Sequence, residues 1–514
     1  MPEKEYEVIG HVSPRSLGPR SLFASDTTIT AKNIDEFRSD AADVRDAKRA
    51  LTEAGFHVFE EGSSDTTISI GGTAKLFQEF FNAHLTTRST ENSHGNEVSF
   101  FSAAADENGT EVMNAPGELA QLIEGVVIAR PPIYFSASPL PPIAQIHSSA
   151  YRYLFVPDEV AVILKAARVH RLGITGKNVV VGMIDTGFFR HPFFSWRGYR
   201  VLDTLLGPGA VNQNEDINGH GTGESANIFS CAPDCRLRPV KAGNDAVGAI
   251  NTALNSSPKP QILTNSWGYN VDRNGLIPDW LKPLEAAVAN AVASGVTVCF
   301  SAGNGHYGFP GSHPDVISVG GVHVNYPGLE LEASSYASSF VSSFYPGRRV
   351  PDLCGLTGKR VDINGGKAPS IMLPVQEGAQ LDGIEPSTGA ANDGWGLFSG
   401  TSAACPQIAG ICALMLEKDP NLTPVQVKQK LISSARDVTA GTTHMGDAAG
   451  PGNDLATGAG LADAKWAYLK TMGDVAAAFF AASKEEQISM MHSGAMPEVP
   501  KEFIDDLIDT LRSR

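Results

Sequence analysis

The chain has 514 residues, 42% of them hydrophobic and 19% charged, a length that allows about two to four domains and a sizeable core and so excludes a disordered chain or a stapled mini-protein. Its 40 Lys and Arg against 56 Asp and Glu leave a formal charge of −16, which argues against nucleic acid or an anionic membrane as a partner held by bulk electrostatics. Six cysteines, all between Cys231 and Cys412, are too few for a disulfide scaffold and read as thiols of a reducing compartment. The opening MPEKEYEVIGHV has no apolar signal-peptide core, and no apolar run of about 18 residues offers a membrane span. A cytoplasmic location is therefore the expectation.

In chain order, residues 1–25 read as an extension, and residues 26–129 as a small α+β unit. That unit opens with a polar strand DTTITA, and a helix follows with Ile34, Phe37, Ala41, Val44, Ala47 and Leu51 at helical spacing. Strands Phe56 to Glu60 and Thr66 to Ile70, a helix from Thr73 to about Phe81 and a strand Glu97 to Phe101 complete a β-α-β-β-α-β order, that of a ferredoxin-like module. Residues 130–150 hold Pro131, Pro132, Pro139, Pro141 and Pro142 and are expected to run as an extended linker. Over 151–470, Val- and Ile-rich strands (VVVGMID, TVCF, DVISVGGV) alternate with helical stretches at 160–169, 284–293, 406–417 and 424–435. That alternation predicts an α/β fold, a parallel sheet with helices on both faces. In the tail, 471–514, Phe503, Ile504, Leu507, Ile508 and Leu511 share one helical face.

Three separated motifs carry the chemistry. VVVGMIDTGFFRHP ends a buried strand in Asp185-Thr186-Gly187, which puts a carboxylate at the edge where parallel sheets place active sites. NGHGTGES puts His220 between small residues at a helix start, and FSGTSAACPQIAG puts Ser402 at the start of an apolar helix. Taken singly, each has a plainer reading: a structural Asp, a solvated His and an N-capping Ser.

Together they resemble the subtilisin-like serine peptidases, the subtilases, whose Asp, His, Ser chain order they share. The resemblance covers about Val156 to Ala467 and includes APDCRLRPVKA, TNSWG, SAGNG, LTPVQVKQKLISSA and GAGLADA. It implies Ser402 as nucleophile, His220 as general base, Asp185 as the group that orients the imidazole, and Asn304 as an oxyanion donor. It further implies that an incoming peptide adds as a β-strand along Ser266, Trp267 and Gly268, and that Ala302 and Gly303 border the primary specificity pocket. For Trp267 the plainer reading is packing beneath the loop. Residues 26–129 would be a prosegment that occupies the cleft as an intramolecular inhibitor. SIGGTAKLFQEFFNAHL and PGELAQLIEGVVI resemble sedolisin prosegments, although sedolisins use a Glu-Asp-Ser set where His220 and Asn304 follow the subtilisin pattern.

Two departures stand out: Ala403 follows Ser402 where the family often has Met, and the Gly-rich stretch 355–393 looks like an inserted loop that walls the cleft. No cofactor is expected. Calcium is common in subtilases, but no acidic spacing assigns a site here; Cys231 and Cys235 read as structural thiols, and His306, His313 and His323 as loop histidines rather than zinc ligands. The expected activity is serine endopeptidase action on peptide or protein substrates. A subtilase-fold peptide ligase or cyclase shares the triad, and an inactive peptide-binding scaffold is the non-enzymatic alternative.

Overall fold

The computed structural model describes residues 8–23, 28–91, 97–105, 110–134, 154–271, 276–325, 328–359, 371–382, 394–472, 483, 485–486 and 489–490. Most of the proline-rich linker, parts of the 355–393 insertion and the helical face at 503–511 lie outside them.

The expected parallel sheet is present. Arg200–Val201, Arg236–Lys241, Val180–Asp185, Ile262–Asn265, Thr297–Ser301 and Ile317–Val324 lie side by side in that order, all parallel. Leu353–Leu356 continues the parallel pairing beside Ile317–Val324, and Leu331–Ala333 closes that end antiparallel. Alternation along the strands sends side chains to two cores. Val181, Met183, Leu237 and Ile262 join one with the helices His220–Cys231 and Thr401–Lys418, while Ile184, Val240 and Leu263 join the other with Ala246–Asn255 and Lys282–Ala293. Both faces are covered, which is why the strands read as unbroken apolar runs.

Local signals place most helix boundaries. Thr423 forms a capping box with Gln426 ahead of Pro424–Ser434. The stretch expected as one helix from Val160 to Val169 is instead two, Asp158–Ile163 and Ala166–His170, broken at Lys165 with φ 63°. The helix expected to begin at Pro406 begins at Thr401 and carries the proline inside it. Pro406 cannot supply the N–H that would bond the Ser402 carbonyl; the Ser266 hydroxyl donates to that oxygen instead, at 2.9 Å.

In the amino-terminal region four strands pair antiparallel in the spatial order His57–Phe59, Ile68–Gly72, Val8–Pro14, Ile123–Ile128. The helices Ala41–Glu53, capped by Asp40, and Ala74–Phe80, capped by Thr73, join the first two strands of the chain and the last two. Two expected strands differ. Val8–Pro14, in the stretch read as an extension, takes the place assigned to DTTITA, whose described part bonds side chains instead: Ile29 N–H to Glu285 Oε1 at 3.1 Å and Ala31 N–H to Asp315 Oδ2 at 2.6 Å. Glu97–Ala103 pairs with Leu85–Glu91 in a separate hairpin, and Ile123–Ile128 is the strand that joins the sheet. Ile34 and Phe37 belong not to the helix but to a single 3-10 turn, Ile34–Phe37, packed on Ala286 and Ala289.

Candidate active site

Asp185 is the last residue of the strand Val180–Asp185, at the carboxyl edge of the sheet. Gly187 follows at φ 141°, and the chain turns away beside Gly221, where a Cβ would collide with the Gly187 carbonyl. His220 opens its helix after Gly219, which has φ 90°. Both side chains are buried, and Asp185 Oδ1 lies 2.7 Å from His220 Nδ1, a distance that fixes the ring with Nδ1–H donating to the carboxylate.

A second acid, Asp216, builds this corner. Its Oδ1 accepts from the Thr186 hydroxyl at 2.7 Å and from Gly219 N–H at 3.0 Å, while its Oδ2 accepts from Thr222 N–H and the Thr222 hydroxyl, both at 2.7 Å. One buried carboxylate thus ties the Asp185 turn to the first turn of the His220 helix. Burial is the largest single influence and opposes charge on His220, but Asp185, with Glu224 and Asp216, together outweigh it, and the imidazole is held up at about 9.

Ser402 is the second residue of its helix and is buried. Its hydroxyl donates to the Ser266 carbonyl at 3.2 Å, so Ser266 and Ser402 exchange bonds. Thr401 welds the Asn304 loop to the same helix: its N–H and its hydroxyl both donate to Asn304 Oδ1 at 2.9 Å, and its hydroxyl also reaches the Gly303 carbonyl at 3.1 Å. With the carboxamide oxygen held there, the amide nitrogen is the opposite, donating end of Asn304. Gly303 has φ 113° and packs on the His306 ring, and Ala302 is buried against Phe340 and Val350. The Ser338 hydroxyl receives the N–H groups of Gly305 and His306 and completes the loop's anchorage.

The edge formed by Trp267–Asn270 pairs on one side with Gly308–Phe309 and on the other, antiparallel, with Ile133–Tyr134, in the register Trp267 to Tyr134 and Gly268 to Ile133. The indole of Trp267 is turned into the core, donating to the Ile184 carbonyl at 2.9 Å and meeting Phe300 edge-on. The Trp267 side chain therefore packs beneath the edge, as its plainer reading expects.

Several residues here escaped the sequence reading. Asp216 sits four residues before His220 and Glu224 four after, and a lone acid reads as surface until tertiary packing buries it. Gln376, in the insertion, accepts from Asp216 N–H at 2.8 Å, and Gln380 and Leu381 N–H groups donate to Ile217 and Asn218 carbonyls. That part of the insertion therefore covers the loop leading into His220. All six cysteines are buried and free, and burial pushes the Cys231 and Cys235 thiols well up. Among the described residues no three His, Cys, Asp or Glu gather as a metal site, and no helix is long and apolar enough to cross a membrane.

The subtilase family model, peptidase S8, matches residues 176–460, more than half of the chain, and the chain belongs to that family. It is 27% identical to subtilisin E of Bacillus subtilis (strain 168) over 289 residues, which cover 53% of this chain and 64% of that protein. Serine protease AprX of the same strain is 28% identical over 288 residues, 50% of this chain and 61% of AprX. The matched segment thus spans less than two thirds of either relative. The crystal structure of fervidolysin from Fervidobacterium pennivorans, described as a keratinolytic enzyme related to subtilisin, superposes with a TM-score of 0.53 at 18% identity, covering 91% of this chain and 62% of that one; it shares the fold.

Proposed function

We propose that the protein is a serine endopeptidase acting through Asp185, His220 and Ser402, and that its amino-terminal region holds it latent. The observation that carries the reading is the 2.7 Å contact of Asp185 with His220 at the sheet edge where Ser402 heads the neighbouring helix. Ser402 Oγ attacks the substrate carbonyl and His220 Nε2 takes its proton. Asp185 keeps the ring in the required tautomer and stabilises the imidazolium, and the Asn304 amide bonds the oxygen as it gains charge. His220 then returns the proton to the leaving amine, and water releases the acyl group from Ser402 by the same path.

Substrate would extend along Ser266, Trp267 and Gly268 through main-chain bonds, with Ala302 and Gly303 beside the side chain next to the scissile bond. The pairing of Ile133–Tyr134 with this same edge supports latency, since a tethered strand competes at an effective concentration up to about millimolar. We read residues 26–129, with the strand Val8–Pro14, as a ferredoxin-like prosegment. The β-α-β-β-α-β order and the spatial order of its four strands support that reading.

The test is mass spectrometry of a peptide library digested by the protein before and after cutting at an inserted protease site between residues 143 and 153. Hydrolysis products that increase after the cut and vanish in Ser402→Ala are expected. Products joined to a second peptide would make the enzyme a ligase, and unchanged activity in Ser402→Ala would overturn the assignment.

A further inference from the structure

The helix that His220 opens carries Glu224 one turn further on, on the same face. It is fully buried. Its Oε2 accepts from Asn227 Nδ2 at 2.9 Å, and its Oε1 lies 3.9 Å from His220 Nε2 without a hydrogen bond among the described residues. Asn227 Oδ1 accepts from Gln407 Nε2 at 3.2 Å, and Gln407 bonds the N–H and carbonyl of Leu356. A buried polar chain therefore runs from the imidazole across to the Ser402 helix. A side chain that only filled space between two helices would be less costly as an aliphatic one, because a buried carboxyl loses its hydration. Here the carboxyl instead faces the nitrogen opposite the one held by Asp185.

We propose that Glu224 is a positioning residue for His220, a buried carboxyl on the Nε2 side whose negative charge helps hold a proton on the imidazole and so sets the lower pH boundary of turnover. This rests on His220 being the general base. The titratable groups bearing on the pair are His220 in the same helix, Asp185 at the strand end, Asp216 in the preceding loop, and Cys405 on the Ser402 helix. Burial raises the Glu224 carboxyl to about 8, so it gains its charge in the range where His220 gives up its proton.

The sign follows from electrostatics. A negative charge close to Nε2 favours the imidazolium, so it raises the pH at which the resting base becomes neutral. It also favours the imidazolium formed during attack on substrate. Replacing Glu224 by Gln removes the charge and keeps the shape and the bond from Asn227. The base is then neutral at lower pH, and the rate on the alkaline plateau falls.

The test uses the full chain with the inserted linker site, cut and uncut. In Glu224→Gln the midpoint of the acid limb of kcat/KM is expected to move down by about one pH unit, with a severalfold lower plateau kcat and little change in KM. The downfield proton resonance of His220 Nδ1–H, followed through pH, should move by the same amount in both samples and needs no turnover. Asn227→Ala, which withdraws the donor to the carboxylate, should shift the midpoint in the same direction by less, and it keeps the test open if Glu224→Gln misfolds. A midpoint that stays in place or rises in these variants would overturn the proposal. Activity that persists in Ser402→Ala would instead overturn the peptidase reading, leaving the His220 titration as the separate measure of Glu224.

Discussion

Both layers of helix that cover the central sheet bury an apolar core, but they aim their buried polar side chains in different directions. Beneath His220–Cys231 and Thr401–Lys418 lie Asp185, His220, Glu224, Asn227 and Gln407, every one of them fully buried. Under Ala246–Asn255 and Lys282–Ala293 the core is aliphatic and aromatic, and the polar groups of those helices meet the amino-terminal region. Asn251 and Asn255 donate to the carbonyls of Gly62, Glu61 and Ser63; Asp245 Oδ1 lies 2.7 Å from His11 Nε2; and Asn290 accepts from Arg38 at 2.8 Å. Similar helices on one sheet thus serve different ends according to where their polar groups point. Inward polar groups tune an imidazole, and outward ones make a docking surface.

Breaking the inward side should have the larger effects. Ser402→Ala is expected to lower kcat by about 10⁴-fold or more, measured on the cut enzyme with a fluorogenic peptide. Asn304→Ala should lower kcat by about 10²- to 10³-fold with little change in KM, since its amide bonds an oxygen charged only near the transition state. A pure KM effect would move Asn304 to ground-state binding.

On the outward side, His11→Leu leaves the buried Asp245 carboxylate facing an apolar group, a loss of about 2 kcal/mol. The separated amino-terminal fragment should then inhibit the cut enzyme in trans about 30-fold less well, while Asn255→Ala, at a partly exposed contact, should cost only a few-fold. Equal inhibition in the wild-type pair, with the His11→Leu fragment and with the Asn255→Ala enzyme would show that these contacts do not govern docking.

The pH profile sharpens the contrast with the smallest change to the molecule. Because His220 is held above its ordinary 6.5, to about 9, the neutral base is lost as pH falls through that raised value. The acid limb of kcat/KM should therefore have its midpoint on the alkaline side of 6.5. A midpoint at or below 6.5 would mean that Asp185, Glu224 and Asp216 do not act on the ring as their positions require.

Much of this was legible in the sequence. The unbroken Val and Ile runs announce a sheet covered twice, and DTG, NGHGTG and GTSAACP single out the three side chains proposed to act together. Val8–Pro14 was not legible as a strand because it is buried throughout. Val8 and Val12 face the core of their own region while His11 reaches Asp245, so no polar alternation appears. The described part of DTTITA, Thr28 to Ala31, shows alternation without strand pairing, because Ile29 and Ala31 spend their N–H groups on Glu285 and Asp315, more than 250 residues away. Asp216 and Glu224 are hidden for the same reason: only the packing of distant segments decides whether an acid is solvated or buried.

Labelling the cut enzyme with a fluorophosphonate and mapping the modified residue by peptide sequencing tests the role of Ser402 most directly. A single adduct on Ser402 is expected, forming faster as pH rises through the His220 range and absent in His220→Ala. An adduct on another residue, or none on a folded and cut enzyme, would contradict that role.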